Sequence, residues 1–217
     1  MKKLIKKTSL KNELVSNKLY NRGKNSKFFK FSPKRIEKSI ELSYYNGWNK
    51  SLIVKILFNS SKNINNFFIK KNFPQIYNKE KIFIFISGKS KFTSNTKNFK
   101  LNKFDAISTF SDNFNYNFDC KKYTQLFIVS SEKFKKRKKK IIYFNFKKNI
   151  KAIDIWGGQC ISRPYSGVDL NVVMFDLKRG FKFYDKGHGN EQITWLVSGS
   201  MNFYSGHLKN KLTKKKG

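Results

Sequence analysis

The segment from 180 to 203 constrains the fold more than any other part of the chain, because it joins a polar cluster to an alternating apolar strand. A histidine, a carboxylate and an amide stand near its head, and an apolar run ending in Ser-Gly follows. Every second residue of that run is a large apolar one: Ile193, Trp195 and Val197. This period of two is typical of a strand with one buried face. The segment therefore predicts a strand that carries ligand-type side chains into a closed interior.

Other short segments rich in β-branched and aromatic residues recur along the chain, separated by Asn, Ser and Gly. Residues 33–42 predict at most a short helix or an approach strand. This spacing predicts an all-β sandwich or barrel. The predicted strands are 51–58, 81–87, 98–101, 125–130, 159–162, 170–177, 180–184, 191–198 and 201–204.

The formal net charge of +34 raises the question of a nucleic-acid partner, because clustered cations neutralise phosphates and release counterions. The basic residues are overwhelmingly Lys, whereas Arg, the preferred bidentate reader of phosphate and guanine, is scarce. Abundant Lys, Asn, Ile and Phe with little Ala, Pro or Arg is the composition that an AT-rich genome produces. We favour this codon bias as the origin of the charge, and an RNA-binding, ribosome-associated protein remains the alternative.

Two cysteines, Cys120 and Cys160, form no CxxC pair, which favours buried structural thiols in a reducing compartment. The basic N-terminus lacks the apolar core of a secretory signal. No apolar run reaches the roughly 18 residues of a membrane-spanning helix. A cytoplasmic protein without a membrane partner is predicted.

The two halves of the chain repeat one order of features: a Trp, a strand, an acidic residue, a second strand, a Ser-Gly turn and a third strand. Glu80 lies eight residues before Gly88, and Glu191 lies eight before Gly199. Shared order of this kind indicates a duplication.

This duplication suggests a division into four segments. Residues 1–32, which are Lys- and Asn-rich with little periodicity, predict a basic flexible arm. Residues 33–131 form a first module and residues 152–217 a second one. Between them, 132–151 contains the run KKRKKK and is interpreted as a solvated linker, with an RNA or membrane-surface patch as the alternative.

The segment HGNEQITWLVSGSMNF resembles the first motif of the cupin superfamily, which reads His-x-His-x-x-Glu-Gln before an apolar strand and Ser-Gly. In the first half, SGKSKFTSNTKNFKLNKFDAISTF is similar to a later part of the same fold, with Phe104-Asp105 in the place of the usual Gly-Asp turn. The resemblance covers residues 45–217. It implies two tandem jelly-roll β-barrels of the cupin type, each with a site in its mouth.

Carried onto this chain, the resemblance implies that His188 and Gln192 are ligands of a divalent metal, which would be Mn, Fe, Ni or Zn in an intact relative. The position of the first histidine holds Lys186, whose ammonium has no lone pair to offer a cation. His188 is alternatively a hydrogen-bonded histidine of the barrel wall. No complete metal centre is expected here.

In the first module the corresponding positions hold Gln75, Tyr77 and Lys81, and the second motif's histidine position falls near Asn115. None of these is a good ligand for a transition metal.

Five residues are candidates for lining a pocket, and each also has a plainer interpretation. Glu191 could pair with a neighbouring Lys or Arg, Trp195 could belong to the core, and Arg163 with Tyr165 could lie on the surface. The candidates are Lys186, Glu191, Trp195, Arg163 and Tyr165.

The last residues, LTKKKG, match the start of the turn that opens the second cupin motif, so the second module is predicted to lack its last strands. A barrel missing strands exposes edges and part of its core. The resulting expectation is a small-molecule-binding or structural protein, with a small polar ligand and a homodimer through the barrels as partners. The alternative is a metal-dependent isomerase, lyase or dioxygenase acting on a small sugar-acid-like substrate, in which Asp185 replaces the missing histidine.

Overall fold

The computed structural model describes residues 34–37, 39–46, 52–110, 115–130, 141–182, 196–203 and 212–215. These residues form two compact units, of which the larger takes in the described parts of 33–44 and 51–182. The described chain is built almost entirely of strands, as the sequence predicts. The first eleven strands are β1 (Lys34–Glu37), β2 (Ile40–Asn46), β3 (Leu52–Phe58), β4 (Lys62–Asn65), β5 (Lys81–Ser87), β6 (Ser90–Ser94), β7 (Asn98–Leu101), β8 (Asp105–Thr109), β9 (Tyr116–Cys120), β10 (Gln125–Ser130) and β11 (Ile141–Asn145).

Two sheets face each other across the core of the larger unit. One has seven strands in the order β1-β2-β3-β10-β5-β8-β11, and the other has four in the order β4-β9-β6-β7. Every pair whose register is described is antiparallel. Neighbours far apart in sequence, such as β3 and β10, are typical of a jelly roll. The all-β jelly-roll fold is confirmed.

The core between these sheets is aromatic and aliphatic. The ring of Phe118 in the smaller sheet lies 4.6 Å from that of Phe83 in the larger sheet and 5.0 Å from that of Phe92. Phe83 and Phe85 point inward on β5, and all four of these side chains are fully buried. Aromatic pairs at such distances add to the stabilisation from apolar burial.

A seven-residue helix, α1 (Asn66–Asn72), and a 3-10 turn (Pro74–Ile76) join the sheets. The Asn65 side chain caps α1 by accepting the Phe68 N–H at 2.8 Å, and Pro74 follows its end. The sequence did not predict this helix. Among the described residues there is no helix long and apolar enough to cross a membrane.

Strand β11 corrects the predicted boundaries. It lies within 132–151 and pairs with β8 from Ile141↔Thr109 to Asn145↔Asp105, so the linker prediction is wrong for residues 141–145. In the sequence the run KKRKKK stands between β10 and β11, two strands of one sheet, and the run itself lies outside the described residues.

The larger unit also contains a three-stranded sheet of β12 (Ile153–Ile155), β13 (Cys160–Ser166) and β14 (Asn171–Leu177), in that order. One face of this sheet packs on the jelly roll, where the Tyr165 ring stacks on Phe144 at 3.9 Å. The other face is apolar and exposed, although apolar side chains on one sheet face usually bury against a partner. Its side chains are 39% to 50% exposed: Ile153, Val173, Phe175 and Leu177.

In the smaller unit, β15 (Ser200–Phe203) pairs with β16 (Leu212–Lys215). This agrees with the predicted strand at 201–204, of which 204 lies outside the described residues. Residues 180–182 and 196–198 are not in strands, so those parts of two predicted strands are wrong. Residues 34–37 and 40–42 are strands, as the approach-strand alternative required. The arm at 1–32 lies outside the described residues.

Candidate functional site

A row of three buried polar residues crosses one end of the seven-stranded sheet. Ser130 on β10 is the cross-strand neighbour of Lys81 on β5, and Lys81 is the neighbour of Thr109 on β8. All three are fully buried. We call Ser130, Lys81 and Thr109 the polar row. It is flanked by Leu52 on β3 and Ile141 on β11.

Strand alternation shows that the polar row points into the barrel. Residues two apart on a strand share a face, and the next inward residues along the three strands are Ile128, Phe83 and Ile107. These belong to the core between the two sheets. The polar row is therefore the end layer of the barrel interior, above an apolar floor.

Hydrogen bonds hold two members of the polar row in place. The Lys81 Nζ donates to the carbonyl oxygens of Ile76 at 3.1 Å and Lys79 at 2.9 Å. Ser130 Oγ donates to the carbonyl oxygen of Glu80 at 2.8 Å. Burying an ammonium group costs free energy unless the group is hydrogen-bonded. The two carbonyl groups therefore hold the Lys81 side chain in position and offset part of the cost of removing it from water.

Thr109 differs from the other two members, because its buried Oγ1 has no hydrogen-bond partner among the residues that the structure describes. Buried hydroxyls nearly always have one, and an exception marks a place where water or another molecule can bind. Thr109 and Lys81 are cross-strand neighbours, so the buried hydroxyl and the buried lysine belong to the same layer of the barrel end.

Glu80, the residue before Lys81, makes its side-chain hydrogen bonds on the opposite face of the sheet. Its carboxylate accepts the backbone N–H groups of Val168, at 3.0 and 3.2 Å, and Asp169, at 2.6 Å. Both belong to the turn between β13 and β14. A Cβ on Gly167 would lie 2.1 Å from Glu80 Oε1, so this turn needs a glycine there for space.

The fold was compared with solved structures. The chain resembles AerE from Microcystis aeruginosa at 8% identity and a TM-score of 0.46, over 63% of this chain and 59% of AerE. It resembles a cupin 2 conserved barrel domain protein from Leptotrichia buccalis at 13% identity and 0.40, over 63% of this chain and 55% of that one. A cupin superfamily protein from Desulfitobacterium hafniense matches at 9% identity and 0.36, over 46% of this chain and 84% of that one.

Two of these three structures are described as cupin proteins. The chain is thus similar to cupin proteins in the solved structures too, and both its membership of the superfamily and the tandem arrangement of two cupin modules stay predictions. No protein-family model matches the chain. No curated protein sequence matches it either.

The predicted metal ligands, His188 and Gln192, lie outside the described residues, as do Lys186, Glu191 and Trp195. Within the part of the chain that the structure describes, no three His, Cys, Asp or Glu side chains are grouped to hold a metal ion.

The four positions carried over from the cupin motifs to the first module differ in solvent exposure. Gln75 and Asn115 are exposed, and Tyr77 is half-buried. Lys81 alone of these four is fully buried in the barrel. Lys81, named from the sequence only as a position unsuited to a metal ligand, is therefore also a member of the polar row.

Arg163 was a candidate for the barrel mouth, and it lies instead in an ion cluster. Its Nη1 donates to Asp176 Oδ2 at 2.5 Å, and the Lys147 Nζ reaches the same oxygen at 2.7 Å. Burial would raise the pKa of Asp176, but the hydrogen bonds and charges of Lys147 and Arg163 outweigh it and hold that pKa below its usual value. The contacts of Arg163 are those of a structural residue.

Tyr165 was the other described candidate for the mouth. Its ring stacks on Phe144, which points away from the barrel interior because its neighbour Tyr143 packs against the core. Burial raises the pKa of the Tyr165 hydroxyl, and the charge of Glu80 raises it further. Tyr165 thus packs against the outer face of the larger sheet, and its role at the mouth of a second barrel stays a prediction.

Both cysteines are buried thiols without a disulfide, as predicted. Burial raises the pKa of Cys120 to about 12 despite the hydrogen bond with Ser90, and the charge of Asp119 adds to the rise. Thiols of this kind are poor nucleophiles, so neither cysteine enters the candidate site.

Proposed function

We propose that this chain is a cupin-fold small-molecule-binding protein whose first barrel binds a small polar ligand at the polar row, without a metal ion in that barrel. The observation that carries the proposal is the buried Thr109 hydroxyl, which has no hydrogen-bond partner in the described part of the chain and belongs to the cross-strand neighbour of the buried Lys81.

The residue types around the polar row support the proposal of a small-ligand site. Such sites combine apolar walls with a few convergent polar groups that orient the ligand. Here Leu52 and Ile141 flank the polar row, and Phe83 lies one layer below it. A ligand oxygen next to Thr109 would satisfy the buried hydroxyl.

A metal in this barrel is disfavoured by the donor chemistry. The position that aligns with the glutamine ligand of cupins is occupied by Lys81, and an ammonium repels a divalent cation. The side chains of Gln75 and Asn115, at two other ligand positions, are exposed. The residues present do not fit a cupin metal centre in the first barrel.

Thermal unfolding of the full chain with a panel of small sugars, polyols and sugar acids tests this proposal. A binding compound should raise the Tm by about 3 °C at ten times its Kd. Thr109→Val should weaken that response, because it removes the hydroxyl and nearly keeps the shape. The matched control is Thr96→Val, which alters an exposed threonine. No response to any compound, or a response unchanged in Thr109→Val, would contradict the proposal.

Metal analysis of the purified full chain tests the enzyme alternative. Stoichiometric Mn, Fe, Ni or Zn that disappears in His188→Ala would favour a metal-dependent enzyme built on the second module.

Binding to total RNA tests the alternative of an RNA-binding protein. Binding at about 150 mM salt that is lost when the charges of 135–140 are neutralised would favour that alternative.

A further inference from the structure

The turns at one end of the seven-stranded sheet bring exposed lysines and aromatic rings together. We infer that this end binds single-stranded nucleic acid, with the lysines contacting phosphates and an aromatic ring stacking on a base. The polar row lies at the other end of the same strands. Nucleic-acid binding would therefore be a function in addition to the proposed one, and it does not depend on it.

Four neighbouring strands each have an exposed lysine within three residues of this end. Strands β10, β5, β8 and β11 are adjacent in the sheet, and the lysines follow the same order: Lys122, Lys89, Lys103 and Lys148. Neighbouring strands are about 4.8 Å apart, so the four strand ends span about 14 Å. We call these four lysines, together with Phe104 and Tyr123, the turn surface.

Backbone hydrogen bonds join the turns of this surface to one another. The Lys121 N–H donates to the Lys89 carbonyl oxygen at 3.0 Å, which joins the turn between β9 and β10 to the turn between β5 and β6. The Phe146 N–H donates to the Phe104 carbonyl oxygen at 3.1 Å, which joins the end of β11 to the turn between β7 and β8. These bonds hold the lysines and rings on one continuous surface.

The two aromatic residues of the turn surface have a left-handed backbone. The φ angle is +68° at Phe104 and +63° at Tyr123, a conformation that costs free energy for a bulky residue and is enriched at functional sites. The Tyr123 side chain is also 64% exposed. Codon bias can raise the lysine content of a chain, but it does not account for large rings at positions where glycine would be less strained.

A lysine lies over each of these rings. The Lys122 Nζ is 4.7 Å from the centre of the Tyr123 ring, and the Lys103 Nζ is 4.9 Å from the centre of the Phe104 ring. Proteins that bind single strands without sequence preference combine cations that neutralise phosphates with rings on which bases stack. The turn surface offers both kinds of group within the same turns.

The described carboxylates near these turns bind other groups. Each has a hydrogen-bond or ion-pair partner outside the turn surface: Glu41, Asp105, Asp119 and Asp176. In the part of the chain that the structure describes, no salt bridge involves any of the four lysines of the turn surface. Their positive charge is therefore available to phosphates.

Fluorescence anisotropy of the full chain with a labelled 12-nucleotide oligouridine measures the binding. One variant combines Lys89→Gln, Lys103→Gln and Lys122→Gln. Because three phosphate contacts are removed, the slope of log affinity against log salt should become less steep by about 2. The control combines Lys70→Gln, Lys71→Gln and Lys100→Gln, at exposed positions on α1 and β7. It makes the same change in net charge and should keep the slope.

Tyr123→Gly tests the stacking. Glycine adopts a positive φ without strain, so the turn keeps its conformation while the ring is removed. The affinity for oligouridine should fall about tenfold, whereas Tyr123→Phe should retain it. The control is Phe67→Ala, which removes a ring that is 70% exposed on α1. Heparin, a polyanion without bases, should bind the wild type and Tyr123→Gly equally.

Three results would overturn the inference. Equal changes in slope for the two lysine variants would show that only the net charge acts. Equal affinity of the wild type and Tyr123→Gly for oligouridine would show that no base stacks on the ring. Binding that is lost when the charges of 135–140 are neutralised, and unchanged in the lysine variant of the turn surface, would assign nucleic acid to another part of the chain. Circular dichroism of each variant checks that the fold is kept.

Discussion

The Glu80 carboxylate accepts the backbone N–H of Asp169 at 2.6 Å, which ties the start of β5 to the turn between β13 and β14. The next residue, Lys81, points into the barrel on the other face of the same strand. One strand end therefore anchors the three-stranded sheet outside the barrel and supplies a cation inside it.

Glu80→Gln should destabilise the larger unit. The amide keeps one acceptor but loses the charge that strengthens the bonds to Val168 and Asp169, so we expect the free energy of unfolding to fall by about 1–3 kcal/mol. Urea denaturation measures the change. Asp119→Asn is the control, because Asp119 pairs with Lys121 at the exposed surface. Equal losses in the two variants would contradict a special role for Glu80.

Gly167→Ala should also destabilise the larger unit, because the new methyl group would meet Glu80 Oε1 and the Leu170 carbonyl oxygen at 2.8 Å. We expect a loss of about 1–3 kcal/mol, typical of overpacking. A double-mutant cycle with Glu80→Ala tests the cause. If the carboxylate is what the methyl group meets, the loss in Gly167→Ala becomes smaller in the Glu80→Ala background. Strict additivity would place the clash elsewhere.

The ion cluster around Asp176 should make part of the stability depend on pH. The folded-state pKa of Asp176 is lowered, so its contribution is present above its ordinary pKa of about 4 and is lost as the pH falls through the lowered value. Arg163→Met should therefore be less stable than the wild type at pH 7, and the difference should shrink toward pH 3.

Urea denaturation at several pH values follows this difference. The control is Lys148→Met, at an exposed position next to Lys147, and it should show little pH-dependent difference. A deficit in Arg163→Met that stays constant from pH 7 to pH 3 would show that Arg163 acts through packing.

Cutting the chain within the run KKRKKK tests the strand assignment of β11. We would insert a recognition sequence for a site-specific protease after Lys138. Since β11 pairs with β8 along its whole length, the two fragments should elute together in size-exclusion chromatography after cleavage. They should separate in about 6 M urea. Fragments that separate in native buffer would support the predicted inter-domain linker.

Strong local patterns allowed several strands to be predicted from the sequence. The predicted bounds of β5, β7 and β10 match the structure, and β3 matches its prediction over 52–58, while residue 51 lies outside the described residues. Such segments carry continuous β-branched or aromatic residues between turn residues. The sequence did not predict helix α1, because NFFIKKN is only seven residues long and contains residues that favour strands. The cap at Asn65 is its one clear local signal.

Less of the candidate site than of the strands could be predicted from the sequence. The cupin resemblance drew attention to Lys81, but Ser130 and Thr109 become its neighbours only through the pairing of β5 with β10 and β8. Cross-strand register between distant segments is set by the whole sheet. The contact of Tyr165 with Phe144 could not be predicted for a similar reason, because Phe144 lies in a segment interpreted as a linker.

Because Glu80 and Lys81 are adjacent, the register of β5 decides which of the two side chains enters the barrel. Successive side chains of a strand point to opposite faces, so a shift of β5 by one residue would exchange the two. The carboxylate would then enter the barrel and the ammonium would meet the turn at Gly167. A single-residue insertion or deletion here would therefore replace a basic side chain by an acidic one at the end of the barrel interior. The same change would break the hydrogen bonds between Glu80 and the turn of the three-stranded sheet.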